Sequence, residues 1–149
     1  MKQEQPKQNF YIQVNSDLKS LGHVLEWFTQ NARSYLSDHY FLQCQTMLAE
    51  GFTNAVRHAH KNYPPQTLIK IELFLYNHYL EIKIWDTGKP FDLKEKLDIL
   101  LQKKEKTASV DLAESGRGLQ FINALADQFQ YIRDIKQERN CLVMQKFFE

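Results

Sequence analysis

The sequence predicts a two-layer α+β sandwich, and three observations carry that prediction. Apolar residues either alternate with polar ones or recur at helical spacing, in the order strand, helix, helix, strand, strand, short helix, helix, strand, strand. Two pairs of strands are separated only by short turns, so they read as hairpins. Strands do not alternate one-for-one with helices, which excludes a doubly wound nucleotide fold.

Composition narrows the class. The chain has 149 residues and a formal net charge of +1. That length suits a single domain able to bury roughly 70% of its unfolded surface. The near-neutral charge offers no electrostatic basis for binding nucleic acid or an anionic membrane. Cys44 and Cys141 lie in separate apolar patterns with no CxxC pair, so they read as buried small hydrophobes. No apolar run approaches the ~20 residues of a membrane helix, and no signal peptide precedes the first element. These features point to the cytoplasm.

Residues 1–9 are rich in Gln and Lys and read as a mobile tail, leaving 10–149 as the domain. Phe10 to Val14 is a short strand with Phe10, Ile12 and Val14 on one face. Ser16 is the expected cap of a helix in which Leu18, Leu21, Leu25 and Phe28 recur, running to about Tyr35. Ser37 or Asp38 caps a second helix ending near His60, where Pro64 and Pro65 follow. Thr67 to Tyr76 and Tyr79 to Trp85 alternate as a hairpin around Asn77-His78. A short helix is expected from Phe91 to about Leu101. Gln102 to Ser115 then reads as a charged, flexible loop long enough to serve as a lid. Gly116-Arg117-Gly118 opens the third helix, whose apolar side is Leu119, Ile122, Leu125 and Ala126. Gln128 to Ile135 and Cys141 to Phe148 are the last two strands.

Candidate chemistry sits in three places. On the second helix, Glu50, Asn54 and His58 recur every four residues and form a polar stripe beside the apolar one. Such a stripe is either a solvated face or a ligand face. Asn54 offers a neutral oxygen able to ligate Mg²⁺, which uses few protein ligands beside phosphates and waters. Glu50 could take a proton from a hydroxyl. His58 reads as support rather than catalyst. Asp86 ends a strand, with Gly88 two residues on. It either starts a turn or accepts a hydrogen bond from an exocyclic amine such as adenine's, with Gly88 letting a flat ring approach. Gly116 and Gly118 at a helix start either let the chain turn or expose backbone N–H groups to an anion, with Arg117 as an added donor.

Together these motifs carry a resemblance. Glu50-x-x-x-Asn54-Ala55-x-x-His58-Ala59 resembles the N-box of the Bergerat-type ATPases, the superfamily of gyrase and histidine-kinase catalytic domains. Asp86-x-Gly88 resembles the first glycine box, and Ser115-Gly116-Arg117-Gly118-Leu119 the second, in the family's order. Asp86-Thr87-Gly88-Lys89-Pro90-Phe91-Asp92 is similar to the DxGxxFD form of the anti-sigma-factor serine-protein kinases of bacterial partner switching.

The resemblance implies a mixed, mostly antiparallel sheet covered on one face by three helices. It implies ATP and Mg²⁺ as cofactors, with Asp86 and Gly88 at the adenine, Asn54 at the metal, and Gly116, Arg117, Gly118 and Leu119 near the phosphates. Glu50 would activate a Ser or Thr hydroxyl of a STAS-type antagonist, which competes with a sigma factor for this protein and leaves when phosphorylated. A homodimer is also expected. Two positions depart from the family. Asn140-Cys141 stands where relatives carry Gly-Thr, and Glu114 where some carry Arg. The alternative reading is a nucleotide-gated module that sequesters a regulator without efficient phosphotransfer; the presence of Glu50 favours catalysis.

Overall fold

The computed structural model describes residues 4–90 and 117–148, and of Arg117 the backbone alone. The expected short helix from Phe91, the lid from Gln102 to Ser115, Glu114 and Gly116 lie outside the described residues.

Alternating apolar residues produce five strands: Gln8–Asn15 (β1), Leu68–Leu75 (β2), Tyr79–Asp86 (β3), Gln128–Asp134 (β4) and Arg139–Phe147 (β5). They form one sheet in the order β1-β2-β3-β5-β4. Every pairing among the described strands is antiparallel, the extreme of the mostly antiparallel sheet expected. β2 and β3 make one hairpin and β4 and β5 the other. Two helices carry the chain from β1 back to β2.

The helices are Leu21–Ala32 (α1), Asp38–Asn54 (α2) and Arg117–Leu125 (α3). They bury Val24, Phe28, Met47, Leu48, Phe52, Leu119 and Ile122 against Ile69, Ile71, Leu73, Leu80, Ile82 and Ile84 of the central strands. Each such side chain contributes about 1.5–3 kcal/mol by leaving water, so this one face supplies most of the driving force. The opposite face carries polar and aromatic pairs instead. Trp85 Nε1 donates to Glu72 Oε1 at 2.6 Å, and the Arg139 guanidinium lies 3.8 Å from the centre of the Trp85 ring.

Both cysteines are buried and free, as expected. Burial pushes each thiol up to about 12, so neither supplies a thiolate at neutral pH.

Two helix ends differ from the sequence reading. A 3₁₀ turn, Leu18–Ser20, precedes α1, and its cap is Asp17, whose Oδ1 accepts from Lys19 N at 2.9 Å. Ser16 is buried instead, with its hydroxyl 2.9 Å from His60 Nδ1. α2 begins where expected, with Ser37 capping it. It gives way after Asn54 to a π-turn, Ala55–Ala59, closed by His60 N donating to Ala55 O at 2.9 Å.

Gly51 decides how closely α2 approaches the sheet. A Cβ there would stand 2.7 Å from Ile84 Cδ1 and 3.1 Å from Met144 Cε. Gly51→Leu is expected to cost about 1–3 kcal/mol by overpacking. Urea denaturation should show a lower midpoint with an unchanged slope.

Candidate functional site

The site grows from the end of β3. Leu80, Ile82, Ile84 and Asp86 share one phase of the strand and all are buried. The alternation that builds the core therefore delivers a carboxylate to its rim. A buried carboxylate must be hydrogen-bonded, because its desolvation is otherwise very costly. Asp86, 3% exposed, meets that need with neutral donors. Its Oδ1 accepts from Gly88 N at 2.9 Å and from Asn140 Nδ2 at 2.8 Å. Its Oδ2 accepts from the Tyr131 hydroxyl at 2.6 Å.

Asn140 is fully buried and lies opposite Asp86 in the β3–β5 register. Its Nδ2 also donates to Gly88 O at 2.9 Å, while its Oδ1 accepts from Arg133 Nη1 at 3.2 Å. Of the Asn140-Cys141 pair, only the first residue meets the site. Successive strand residues face opposite sides of a sheet. Asn140 shares Asp86's side, while Cys141 lies opposite Trp85 on the other side. The polar group beside Asp86 is an amide, not a thiol.

The turn after Asp86 is held from the π-turn. A Cβ on Gly88 would stand 2.3 Å from Ala59 O, a backbone atom that cannot yield, so only glycine fits. Thr87 N donates to His60 Nε2 at 2.9 Å. Nε2 is then the unprotonated nitrogen, and Nδ1–H donates to Ser16 Oγ. Burial lowers the pKa of His60, against the opposing pull of the Asp86 charge, so the ring is held neutral. Tyr63 stacks on it at 5.2 Å between ring centres, and its hydroxyl donates to Thr87 O at 3.1 Å.

Asp86 faces a narrow cleft, with only about 10 Å³ of free volume, shared with Gly51, Asn54, Ala55, Ala59, Ile84, Tyr131 and Leu142. The structure thus brings Asn54 and Asp86 to one cavity. Glu50, half-buried one turn earlier on α2, lies against α3: its Oε2 is 3.0 Å from where a Cβ on Gly118 would stand. Gly118 therefore lets the start of α3 close on Glu50. Leu119 is fully buried and anchors α3 in the core. The backbone of Arg117 opens α3. His58 sits in the π-turn, where more residues fill each turn than in an α-helix, so it does not continue the Glu50–Asn54 stripe at α-helical spacing.

Sequence reading did not single out Tyr131, Arg133 or His60 as site residues, and named Asn140 only in the pair that stands where relatives carry Gly-Thr. Asn140 and Asp86 were recoverable from strand phase once the hairpins were aligned. His60 was not, because the π-turn that aims it has no pattern of its own.

This sheet with its one-sided helical cover is the fold class expected of an ATPase-type domain. A family model described as a histidine kinase-like ATPase domain matches residues 14–146, and the chain belongs to that family. One protein to which the chain is similar is a serine-protein kinase, RsbW of Bacillus pumilus. That protein is 32% identical over 84 residues, covering 56% of this chain and 52% of the relative. The match thus spans about half the relative's length. Among solved structures, the RsbU and RsbW domains of a Mycobacterium tuberculosis protein share the fold, with a TM-score of 0.64 at 12% identity. That alignment covers 95% of this chain and 33% of the other.

The neutral His60 gives stability a pH dependence whose sign follows from linkage. The unfolded ring takes up a proton near 6.5, while the folded ring resists until a lower pH. Between those values the unfolded state binds more protons, so stability falls with falling pH. The contribution is fully present above 6.5 and is lost as pH drops toward the folded value. Urea unfolding between about pH 7.5 and 5 should show this slope. His60→Gln should flatten it and lower stability at neutral pH.

Proposed function

We propose that this chain is an ATP-dependent serine/threonine protein kinase that also acts by binding, as an anti-sigma factor whose substrate is a STAS-type antagonist. The observation that supports it most is Asp86, a buried carboxylate fixed by Gly88 N–H and the Asn140 amide and facing the cleft that Asn54 shares. Held this way, the carboxylate is an acceptor for an exocyclic amine such as adenine's. Family membership and the RsbW similarity support the same reading.

The residues present fit ATP with Mg²⁺. Among the described residues no cluster of three or more His, Cys, Asp or Glu forms a ready metal cage. A magnesium ion would be held instead by the Asn54 amide oxygen together with phosphate oxygens and waters, as that ion prefers. When bound, it neutralises charge on the transferred phosphoryl group. The start of α3, with Gly118 bare of a side chain and Gly116 and Arg117 just before it, would hold the phosphates. Glu50, against that helix start, takes the proton from the attacking Ser or Thr hydroxyl. Asp86 orients the base and takes no part in the chemistry. No helix among the described residues is long and apolar enough to cross a membrane, and we place the chain in the cytoplasm with its protein partners. A sigma factor competing with the unphosphorylated antagonist, and a homodimeric assembly, belong to the same proposal.

Incubating the protein with Mg-ATP and a candidate STAS partner tests it, with phosphate transfer followed by mass spectrometry. Transfer to a partner Ser or Thr is expected, and Glu50→Ala should slow it by about 10²–10⁴-fold while ATP binding survives. A tight complex that never becomes phosphorylated would instead make the protein a sequestering module. Asn54→Ala should abolish the magnesium-dependent part of ATP binding. Calorimetry showing equal affinity with and without that substitution would remove Asn54 from the metal site.

A further inference from the structure

The Asp86 carboxylate is unequally occupied. Oδ1 accepts two donors that belong to the frame of the site, Gly88 N and Asn140 Nδ2. An ionised carboxylate offers about two lone-pair sites per oxygen, so Oδ1 is full. Oδ2 is the oxygen on which a ligand would be read; by the same count one of its two sites is taken by the Tyr131 hydroxyl, at 2.6 Å. That is the length of a charge-assisted O–H···O⁻ bond, among the stronger hydrogen bonds in proteins.

Tyr131 reaches Asp86 from a distance. It lies on β4 and pairs with Leu142 of β5, which pairs with Ile84 of β3. Asp86 is two strands away and one same-face step further along. Strands stand about 4.8 Å apart, so only a long side chain ending in a donor spans the gap. Tyr131 thereby lines the cleft together with Asn54, Ala55 and Leu142. The cleft's free volume is only about 10 Å³, far below the ~300–1,000 Å³ usual for ligand pockets, so no flat ring fits beside the phenol until Tyr131 moves.

We propose that the Tyr131 hydroxyl is a built-in competitor for the nucleobase, closing the pocket on Asp86 Oδ2 until an exocyclic amine replaces it. This rests on the reading of the cleft as a nucleotide site. The competition lies in the space the phenol fills as well as in the bond it makes, and it makes Tyr131 a specificity-determining residue. A ligand that cannot donate to Oδ2 has nothing to offer in exchange for the phenol, so the pocket stays shut to it. Affinity for a ligand that can donate is reduced by the fraction of molecules in which Tyr131 is bound to Asp86. The phenol is also a constant competitor: burial, reinforced by the Asp86 carboxylate, pushes its pKa far up, so it keeps its proton at any physiological pH.

Tyr131→Phe tests the proposal, because it removes the donor and leaves the ring. Titration calorimetry with Mg-ATP on the whole chain should show binding about tenfold tighter than wild type. The melting temperature without nucleotide should fall, while the rise on adding nucleotide should grow. A merely structural tyrosine would lower stability without tightening binding. Tyr131→Leu, tested beside it, should tighten binding in the same direction if Tyr131→Phe folds poorly. Affinity that is unchanged or weaker in both variants overturns the proposal and leaves the nucleotide reading standing. Absence of any ATP binding in wild type and in both variants overturns the nucleotide reading, and this proposal with it.

Discussion

A carboxylate buried at the rim of an apolar core is the constraint on which this site depends. Asp86 is placed there by strand phase, as the fourth inward residue of β3 after Leu80, Ile82 and Ile84. Once there, it cannot be left alone. The site around it is the set of donors that satisfy it: a backbone N–H two residues on, an amide from the next strand, and a phenol from the strand beyond. Each comes from a different part of the sheet. The carboxylate therefore ties β3, β5 and β4 together at the edge where their side chains meet α2.

The same rim explains the irregular end of α2. Gly88 N can reach Asp86 Oδ1 only if the turn folds tightly back, and the turn then lies against Ala59 O. A regular helix would continue past that point on α-helical spacing. The π-turn brings the chain round to His60, which takes Thr87 N on one ring nitrogen and Ser16 on the other. Helix end, first strand and glycine turn are thus joined through one neutral imidazole. Protonation of that ring would turn an acceptor into a donor facing a donor, so the junction is also where the site meets pH.

Much of this was legible in the sequence, and the limits have physical causes. The hairpins and helices follow from period-two and helical patterns that each element must satisfy to bury its apolar side. Glu50, Asn54, Asp86 and Gly88 stood out because polar or glycine residues interrupt those patterns at regular intervals. Tyr131 did not, and Asn140 did only as half of a departure from the family, because each sits in an ordinary strand pattern and gains its meaning only from the strand beside it. Ser16 was read as a helix cap because its neighbours allow one. The 3₁₀ turn that moves the cap to Asp17 depends on how β1 leaves the sheet. Cys141, which with Asn140 stands where relatives carry Gly-Thr, is turned away from the site by the alternation of strand faces.

The chemistry of the donors around Asp86 bears on what the site can select. Among the described residues, no ion pair involves this carboxylate. The cation nearest in the network, Arg133, donates to Gly88 O and Asn140 Oδ1 instead. A guanidinium bound directly to Asp86 would occupy both oxygens and spend the charge on a fixed partner. Neutral donors satisfy the hydrogen-bonding need while leaving the negative charge uncompensated in a weakly polarisable surround. Such a group keeps a strong appetite for one more N–H or O–H donor. It repels a ligand edge that presents only acceptors. On the proposed nucleotide reading, an amine-bearing base edge would meet that demand and a carbonyl edge would not, so the buried charge and the phenol that closes the cleft would set the selection together.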